Sequence, residues 1–320
     1  MFFSNTARSY GGFWFIVAAV FTVYMFAMVT IPSANKPTEN APISTNNIAR
    51  NDHLLAGVAV YGLYFRCLRK HSSNLTPVQV WNKILTFLPQ CEKEYAMLEA
   101  LHMKKYPNLD ETKYGLIPQN LKPVDECNII TLGIGRDTKS EEAMKADLPS
   151  NCHFFGADPI PDQNENLYTK VGTYFPLAIG AKDGISKADI LGLNGSNSYQ
   201  SIDINHVNIL KFLREHVKMV KYIDNLLMDS EHSEYGMAPL FHRNGELDKA
   251  GYVVCQWNCE FHDPSTEEKR IFGEFFLRIV EERRYVPLNL VSATHIRLFF
   301  LNIEDPVCVR RYMMHMITDS

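Results

Sequence analysis

The sequence predicts an α/β fold built on a mostly parallel sheet and preceded by a transmembrane helix and a small helical region. Three observations support this prediction. From Cys127 onward, short β-branched or aromatic runs alternate with longer amphipathic segments, a pattern typical of βαβ units. An uncharged apolar run occupies 13–31, and segments with helical periodicity lie between residues 53 and 106.

Composition limits the classes of protein to which the chain can belong. With 320 residues, of which 46% are hydrophobic and 21% charged, it can form one domain of about 200 residues plus a smaller piece. The formal net charge is −4 and the sequence contains no long Lys/Arg run. A nucleic-acid partner is therefore not expected, because binding to phosphate backbones requires concentrated positive charge.

The apolar run from Phe13 to Ile31 contains no charged residue. A helix of about 20 apolar residues spans the bilayer core, whereas the apolar part of a cleavable signal peptide is usually about 7–15 residues long. We predict a transmembrane signal anchor at 13–31. A short tail at 1–12 precedes it, and a flexible Pro/Asn/Ser/Thr-rich stem at 32–51 follows it.

The orientation of this anchor is only weakly encoded. Arg8 precedes the span, while Lys36 and Arg50 follow it, so the distribution of positive charge barely favours either side. Two N-x-[ST] glycosylation sequons begin at Asn74 and Asn194. They favour a single-pass type II protein whose C-terminal domain lies in the lumen of the secretory pathway.

Residues 52–120 are predicted to form a helical cap, and 121–320 the α/β domain. Periodicity and β-branched runs predict the following elements: strands at Asn128–Leu132, His153–Ala157, Tyr174–Ile179, Asn225–Met228 and Tyr252–Trp257, with helices near Ser140–Asp147 and Val207–Val220.

The end of the domain has clearer signals. Ser265 and Glu268 form a capping-box pattern that predicts a helix with an aromatic face. Two strands follow, at Tyr285–Val291 and Ile296–Ile303, and their short connection predicts an antiparallel pair. The adjacent Phe299 and Phe300 indicate that the last strand is buried on both faces.

The seven cysteines do not indicate a disulfide-dense scaffold, and their odd number leaves at least one unpaired. They do not by themselves indicate a cellular compartment. Cys255 and Cys259 lie four residues apart on a predicted strand, which is a spacing for packing on one face. Since no second Cys or His pair stands at zinc-finger spacing, no metal site is predicted.

Open α/β sheets bind ligands at the carboxyl ends of their strands. At the first such end, Gly133 and Gly135 lie between a strand and a helix, where missing side chains let a ligand approach the backbone. Asp158 ends the next strand, 23 positions after Gly135. That offset is close to the roughly 20 residues after which a carboxylate commonly binds ribose hydroxyls.

A third strand end carries several titratable side chains within six residues, and they lie where a strand turns into a helix: Asp229, Glu231, His232 and Glu234. Grouped like charges are unfavourable unless a ligand or solvent compensates them. This segment is therefore predicted to be the reaction edge, although a solvated acidic first turn of a helix is the alternative.

The Gly133/Gly135 turn, the Asp158 strand end and the Asp229-x-Glu231-x-x-Glu234 cluster resemble the pattern of FkbM-type S-adenosylmethionine-dependent methyltransferases. The resemblance covers Cys127–Pro306. It implies a Rossmann-like class I methyltransferase fold with a seven-stranded, mostly parallel sheet and a C-terminal antiparallel strand. It also implies S-adenosylmethionine as the cofactor and methyl transfer to a hydroxyl oxygen.

Carried over by position, the resemblance gives roles to individual residues. Gly133 and Gly135 would face the methionine part of the cofactor and Asp158 its ribose, while Gly180 would lie near the adenine. Asp229 and Glu231 would form the methyl-transfer edge, where Asp229 also contacts the cofactor. Three positions depart from the family pattern: Thr131 stands where an acidic residue is common, Asp137, a further cofactor candidate, stands where a third glycine is common, and His232 stands where glycine is common.

A hydroxyl nucleophile benefits from a base that removes its proton. His232, where the family often has glycine, is predicted to be that base, and His262 is the alternative. The expected acceptor is a hydroxyl on a glycan, a lipid-linked molecule or a small molecule. A non-catalytic binding protein of the same fold remains a rival function, as does a type II glycosyltransferase, although the sequence lacks an Asp-x-Asp motif.

Overall fold

The computed structural model describes residues 61–95, 97–191, 199–218, 221–292 and 295–313. Its strands, in chain order, are β1 (Lys104–Pro107), β2 (Thr112–Gly115), β3 (Cys127–Leu132), β4 (Cys152–Ala157), β5 (Thr173–Phe175), β6 (Ala178–Gly180), β7 (Gly184–Leu191), β8 (Tyr199–Asn208), β9 (Tyr222–Ile223), β10 (Asn225–Met228), β11 (Val253–Val254), β12 (Gln256–Phe261), β13 (Tyr285–Ser292) and β14 (Ile296–Asn302).

The helices surround these strands. In chain order they are α1 (within 61–72), α2 (Pro77–Glu94), α3 (Met97–Leu101), α4 (Lys139–Asp147), α5 (Pro161–Tyr168), α6 (Ile209–Lys211), α7 (Ser233–Met237), α8 (Glu246–Lys249), α9 (Thr266–Glu282) and α10 (Pro306–Tyr312). A π-helical turn, Phe212–Val217, extends α6.

A seven-stranded sheet forms the core in the order β13-β14-β12-β10-β3-β4-β5. The five strands from β12 to β5 pair in parallel with one another, whereas β14 is antiparallel to both β12 and β13. Every residue of β3 and β10 is buried, as expected of central parallel strands covered on both faces. The predicted mostly parallel sheet with a C-terminal antiparallel strand is confirmed.

One predicted element between β4 and β10 was wrong, and another was confirmed with shifted bounds. The strand predicted at Tyr174–Ile179 is two strands, because Pro176 lacks the N–H that would continue the ladder: β5 joins the large sheet and β6 pairs with β8 in a separate one. The helix predicted near Val207–Val220 is confirmed as α6 with its π-helical extension, from Ile209 to Val217, and it begins two residues later than predicted because β8 continues to Asn208. The long β7–β8 hairpin was not predicted.

The strand predicted at Tyr252–Trp257 also lies differently. The chain forms the short β11, which pairs with β9, and then continues as β12 through Phe261. The apolar run covers both strands, so periodicity alone did not reveal the break at Cys255. The shift matters for function, because it places His262 directly after the carboxyl end of β12.

Helices α2 and α9 pack together against one face of the sheet, next to β13. Both begin with a capping box, formed by Thr76 with Gln79 and by Ser265 with Glu268, and the second of these confirms the predicted helix start. A Cβ placed on Gly273 would lie 2.0 Å from the carbonyl oxygen of Pro77. The two helices therefore approach so closely that a side chain at this position is excluded.

Region 52–120 contains helices, as predicted, and also the antiparallel β1–β2 hairpin. Side chains of β12 hold this hairpin: the Tyr114 N–H donates to Asn258 Oδ1 at 2.8 Å, and the Leu116 N–H donates to Gln256 Oε1 at 2.7 Å. The loop between β1 and β2 consequently lies beside the carboxyl ends of the central strands.

Three disulfides join segments that lie far apart in the sequence: Cys67–Cys91, Cys127–Cys152 and Cys255–Cys308. They link α1 to α2, β3 to β4, and the end of β11 to α10. Cys259 is buried and unpaired, in agreement with the odd cysteine count. The interpretation of Cys255 as only a packing residue was wrong, since it is disulfide-bonded.

The predicted membrane anchor at 13–31 and the stem at 32–51 lie outside the described residues. Within the part of the chain that the structure describes, no helix combines the length and apolar character needed to cross a bilayer.

A buried ion pair fixes the C-terminal helix to the sheet. Arg311 donates to Asp224 Oδ1 at 2.7 Å and the Tyr312 hydroxyl donates to the same oxygen at 2.6 Å. The other oxygen, Oδ2, accepts the Asn128 N–H at 3.0 Å. Asp224 and Arg311 are almost fully buried, so neither charge has water to replace its partner.

Replacing Arg311 with alanine is expected to reduce the free energy of unfolding by about 3–5 kcal/mol, because it leaves the Asp224 carboxylate buried without its cation. Arg310→Ala is the matched control, since Arg310 is the exposed neighbour in the same helix, and little change is expected. Denaturant unfolding of both variants measures the difference. Equal effects would contradict a stabilising role for the buried pair.

Candidate active site

A cleft opens at the carboxyl ends of β3, β4 and β10, and it contains about 960 Å³ including the space at its mouth. Most of the residues that the sequence predicted for the site line it, together with the β1–β2 loop and the turn before β6. The predicted residues in its wall are Gly133, Gly135, Asp137, Asp158, Asp229 and Glu231. The fold therefore brings together strand ends that are up to 100 residues apart in the sequence.

Gly133 and Gly135 have different structural roles. Both have positive φ angles, of 83° and 62°, which glycine adopts without strain. A Cβ on Gly133 would lie 1.7 Å from the carbonyl oxygen of Asp229, whereas a Cβ on Gly135 would meet no atom within 4 Å. Gly133 thus lets the ends of β3 and β10 touch, and Gly135 leaves open space in the cleft.

Asp158 is buried at the end of β4, and its carboxylate holds the glycine turn. Oδ2 accepts the N–H groups of Ile134 at 2.9 Å and Gly135 at 3.4 Å, while Oδ1 accepts that of Ile160 at 2.9 Å. Burial raises the pKa of this carboxyl, and the backbone donors partly offset the effect. The Asn164 side chain lowers the pKa as well, so backbone and side-chain groups together hold this carboxylate in the cleft wall.

Asp137 and Gly180 are placed less directly. The Asp137 carboxylate lines the cleft, but it accepts the N–H of Leu109 at 2.8 Å and that of Lys139 at 3.0 Å. It ties the β1–β2 loop to the start of α4. Ile179 lines the cleft, whereas a Cβ on Gly180 would face the His206 ring, 3.3 Å from Cδ2.

The cluster after β10 is completed by a residue from the neighbouring strand. His262, directly after β12, places Nε2 3.2 Å from Asp229 Oδ1 and 3.3 Å from Glu231 Oε2. Its Nδ1 lies 2.8 Å from Oε1 of Glu234, whose side chain is fully buried. Three carboxylates from one loop and helix thus surround a single imidazole.

The electrostatics of this cluster follow from its burial. Burial disfavours the charged form of His262, but contacts with Asp229 and Glu234 outweigh it and raise the His262 pKa to about 12. Burial likewise raises the pKa of Asp229, yet His262 and Lys113 outweigh that effect and the net shift is downward. A histidine that already holds its proton is a poor general base at neutral pH.

His232, the predicted base, lies at the edge of this group. Its φ angle is 74°, and its Nδ1 lies 3.0 Å from Glu268 Oε1, at the start of α9. It is not among the residues that line the cleft. Glu231, at a φ of 44°, places its carboxylate in the cleft wall instead.

Sequence reasoning missed several residues of the site. Lys113 of β2 lines the cleft, and its Nζ lies 2.9 Å from Glu141 and 3.3 Å from Glu111. Thr131 Oγ1 donates to the same Glu141 oxygen at 3.4 Å. A carboxylate beside Thr131 is therefore supplied by Glu141, in the first turn of α4.

His206 of β8 also lines the cleft, where Ser186 and Ser233 lie within hydrogen-bond distance of its ring nitrogens. No local motif marks His206 or Lys113, since each lies on a hairpin that the helical and βαβ patterns did not include. Only the pairing of those hairpins with other strands brings them to the site.

The order of the sheet, the glycine turn and the acidic strand ends define a Rossmann-like methyltransferase fold and site. The methyltransferase FkbM domain model matches residues 77–302, which is more than half of the chain. The chain therefore belongs to the FkbM methyltransferase domain family. The match begins at α2, so the family domain includes most of the predicted helical cap.

Comparison with individual proteins gives more distant likenesses. The uncharacterized Caenorhabditis elegans protein C28H8.7 is 23% identical over 184 residues, which are 58% of this chain and 56% of that protein. The chain thus spans about half the length of this curated relative. Among solved structures, Aeropyrum pernix fibrillarin with bound S-adenosyl-L-methionine is similar at 13% identity and a TM-score of 0.32, covering 57% of this chain and 70% of that one.

A second solved structure, the CurJ carbon methyltransferase, is similar at 9% identity and a TM-score of 0.30. It covers 89% of this chain and 79% of that one. Because these structural likenesses are distant, the family assignment depends on the FkbM model and on the site.

S-adenosylmethionine is the cofactor of this methyltransferase family, and the cleft fits it on three counts. Gly135 leaves its surface open, Asp158 places a carboxylate in its wall beside the glycine turn, and Asp229 presents a second carboxylate at the end of β10. The cofactor supplies an activated methyl group. The chain's own residues would bind and orient both reactants, since displacement at a methyl carbon depends on alignment.

The two glycines provide a direct test of this geometry. Gly135→Ala is expected to lower the free energy of unfolding by about 1–2 kcal/mol, because only the left-handed backbone is strained. Gly133→Ala adds a clash with the Asp229 carbonyl and should lower it by at least about 3 kcal/mol. Thermal and denaturant unfolding measure both variants. Similar losses would contradict the close contact between the β3 and β10 ends.

Proposed function

We propose that this chain is an active S-adenosylmethionine-dependent O-methyltransferase that methylates a hydroxyl on a glycan, a lipid-linked molecule or a small molecule. The observation that carries the proposal is the convergence of the glycine turn, Asp158 and the Asp229/Glu231 carboxylates in one cleft. Family membership supports the cofactor and the type of reaction. The acceptor class rests on the expected location of the domain and on analogy with the family.

The cleft supports a division of tasks among its residues. The Gly133–Gly135 turn and Asp158 would bind the cofactor at one end, and the β10 end would receive the acceptor. Asp229 and Glu231 are the carboxylates that face the cleft there. Glu231 is better placed than His232 to hold the acceptor hydroxyl, because the His232 ring contacts Glu268 outside the cleft wall.

We further propose a type II membrane protein with a lumenal catalytic domain. The uncharged run at 13–31 supports the anchor. Three disulfides between distant segments support an oxidising compartment. Asn74, the first residue of a sequon, is exposed in the turn before α2, where a glycan can be attached without disturbing the core.

Calorimetric titration of S-adenosylmethionine into the full chain in detergent tests the cofactor site. We expect binding by the wild type and at least about tenfold weaker binding, equivalent to about 1.4 kcal/mol, by Gly135→Ala, whose methyl group enters the cleft. Asp158→Ala should abolish binding, because it removes the ribose acceptor and releases the glycine turn.

Gly251→Ala is the matched control for the glycine variant. Gly251 has a φ of 83° and open space around its Cβ position, and it lies between α8 and β11, outside the cleft. It should carry the same backbone strain and retain binding. A folded wild type that binds no cofactor would instead support a non-catalytic binding protein built on this fold.

Glycosylation tests the proposed orientation. In a eukaryotic host, Asn74→Gln should remove one glycan, seen as a mobility shift that peptide N-glycosidase also produces. Thr76→Ser is the control, because it keeps both the sequon and the hydroxyl that caps α2. A glycosidase-insensitive wild type, with its cysteines accessible to alkylation before reduction, would contradict a lumenal domain.

A further inference from the structure

Asp229, Glu231 and His262 bring three potential metal ligands to one point at the carboxyl ends of β10 and β12. One carboxylate oxygen from each acid and one imidazole nitrogen lie within 4.8 Å of one another. We refer to these three residues as the His262 cluster. They come from adjacent parallel strands, since Met228 pairs with Cys259 in register, so the sheet itself fixes their separation.

Glu234 fixes the orientation of the His262 ring through the ring nitrogen that lies away from the other two ligands. Its Nδ1 lies 2.8 Å from Glu234 Oε1, and that oxygen also accepts the His262 backbone N–H at 2.9 Å. A buried carboxylate on one imidazole nitrogen orients the ring and directs the other nitrogen to a ligand, as in many metal centres. Here that other nitrogen, Nε2, points toward the two carboxylates of the cluster.

The Asp229 oxygen in this group has no hydrogen-bond donor among the described residues. Oδ1 is buried and, although it lies 3.2 Å from Nε2, the two atoms do not meet hydrogen-bond geometry. An unsatisfied buried carboxylate oxygen is unfavourable. Its position beside Glu231 and an imidazole nitrogen is what a shared positive ion would satisfy.

The cationic side chains nearest to the cluster, Arg297 and Lys113, already pair with other carboxylates. Glu260 lies close to the cluster, but Arg297 binds both of its oxygens, at 2.7 and 2.9 Å. Lys113 is bound to Glu141 and Glu111. The described residues contain two other ligand-like groups. One is Glu111 with Asp229 and Glu260, in which Lys113 and Arg297 already pair with the two glutamates. The other, Cys67 with His71 and Cys91, contains a disulfide and therefore offers no thiolate.

We propose that the His262 cluster binds a divalent transition-metal cation, of the kind represented by Mn²⁺, Co²⁺ or Zn²⁺. One imidazole nitrogen and two carboxylate oxygens suit these cations better than Mg²⁺ or Ca²⁺, which favour oxygen ligands alone. The sequence predicted no metal site, because that prediction considered only Cys and His pairs at zinc-finger spacing. His262 lies 31 residues from Glu231, so no such short spacing connects these ligands.

The proposed ion would face the cleft, because Asp229 and Glu231 both line it. Coordination positions not occupied by protein would then be open to an acceptor oxygen. If the chain is the O-methyltransferase proposed above, a hydroxyl bound to the cation would lose its proton more readily. This consequence rests on the proposed function, whereas cation binding does not.

Manganese binding to the full chain in detergent tests the proposal. After removal of metals with EDTA, Mn²⁺ is added without cofactor and free Mn²⁺ is followed by electron paramagnetic resonance. One bound ion per chain is expected. Glu231→Gln and Asp229→Asn should each weaken binding by at least about tenfold, as expected for the loss of a ligand. Glu274→Gln, on the exposed side of α9, should have no effect.

A second measurement identifies the imidazole ligand. Pulsed resonance of the bound Mn²⁺ should show coupling to a nitrogen nucleus, and His262→Gln should remove it. The proposal is overturned if the folded wild type binds none of Mn²⁺, Co²⁺ and Zn²⁺. It is also overturned if binding is unchanged in both carboxylate variants, or if bound Mn²⁺ shows no nitrogen coupling. Cofactor titration is a separate assay, so either proposal can fail alone.

Discussion

The contact between Gly133 and the Asp229 backbone determines the geometry of the site. With no Cβ at Gly133, the end of β3 meets the end of β10 at a separation that any side chain would prevent. The Gly133 N–H also donates to the Ala157 carbonyl at 2.9 Å, which joins the end of β4 to the same point. Three strand ends therefore meet around one residue, and the cleft is the space that they enclose.

This close approach concentrates charge. Strand ends that meet at one edge bring their polar residues together, and the surrounding helices exclude water from most of them. The result is a set of carboxylates that share few cations, with His262, Lys113 and Arg297 between them. Buried carboxylates require such partners, because desolvation disfavours the ionised form.

Reactivity in this arrangement depends on what occupies the space between Asp229, Glu231 and His262. A proton on His262 balances the carboxylates but leaves the imidazole unable to act as a base. The divalent cation proposed above would balance the same charges in place of that proton and would supply a Lewis acid beside the cleft. The protonated cluster and the cation-bound cluster would therefore differ in reactivity, although the same three side chains form both.

Covalent links support the regions around the cleft. The Cys127–Cys152 disulfide ties the starts of β3 and β4, the strands that carry the glycine turn and Asp158, and Cys255–Cys308 ties the start of β12 to α10. By constraining the unfolded chain, such links stabilise the native arrangement. From the sequence, the odd number of cysteines showed only that at least one is unpaired. It did not show which cysteines form disulfides, because pairing depends on distances in the folded chain.

The sequence by itself determined the central strands β3, β4 and β10, the α9 capping box and the glycine and Asp158 positions, because hydrophobic period and turn chemistry are local. It also led to the FkbM family. Only the tertiary structure revealed the hairpins on which Lys113 and His206 lie and the position of His262 beside Asp229. It also revealed that the Glu141 carboxylate lies beside Thr131, where the family commonly has an acidic residue. Each depends on strand pairing or helix packing between segments distant in the chain, and such long-range geometry leaves no periodic trace in the sequence.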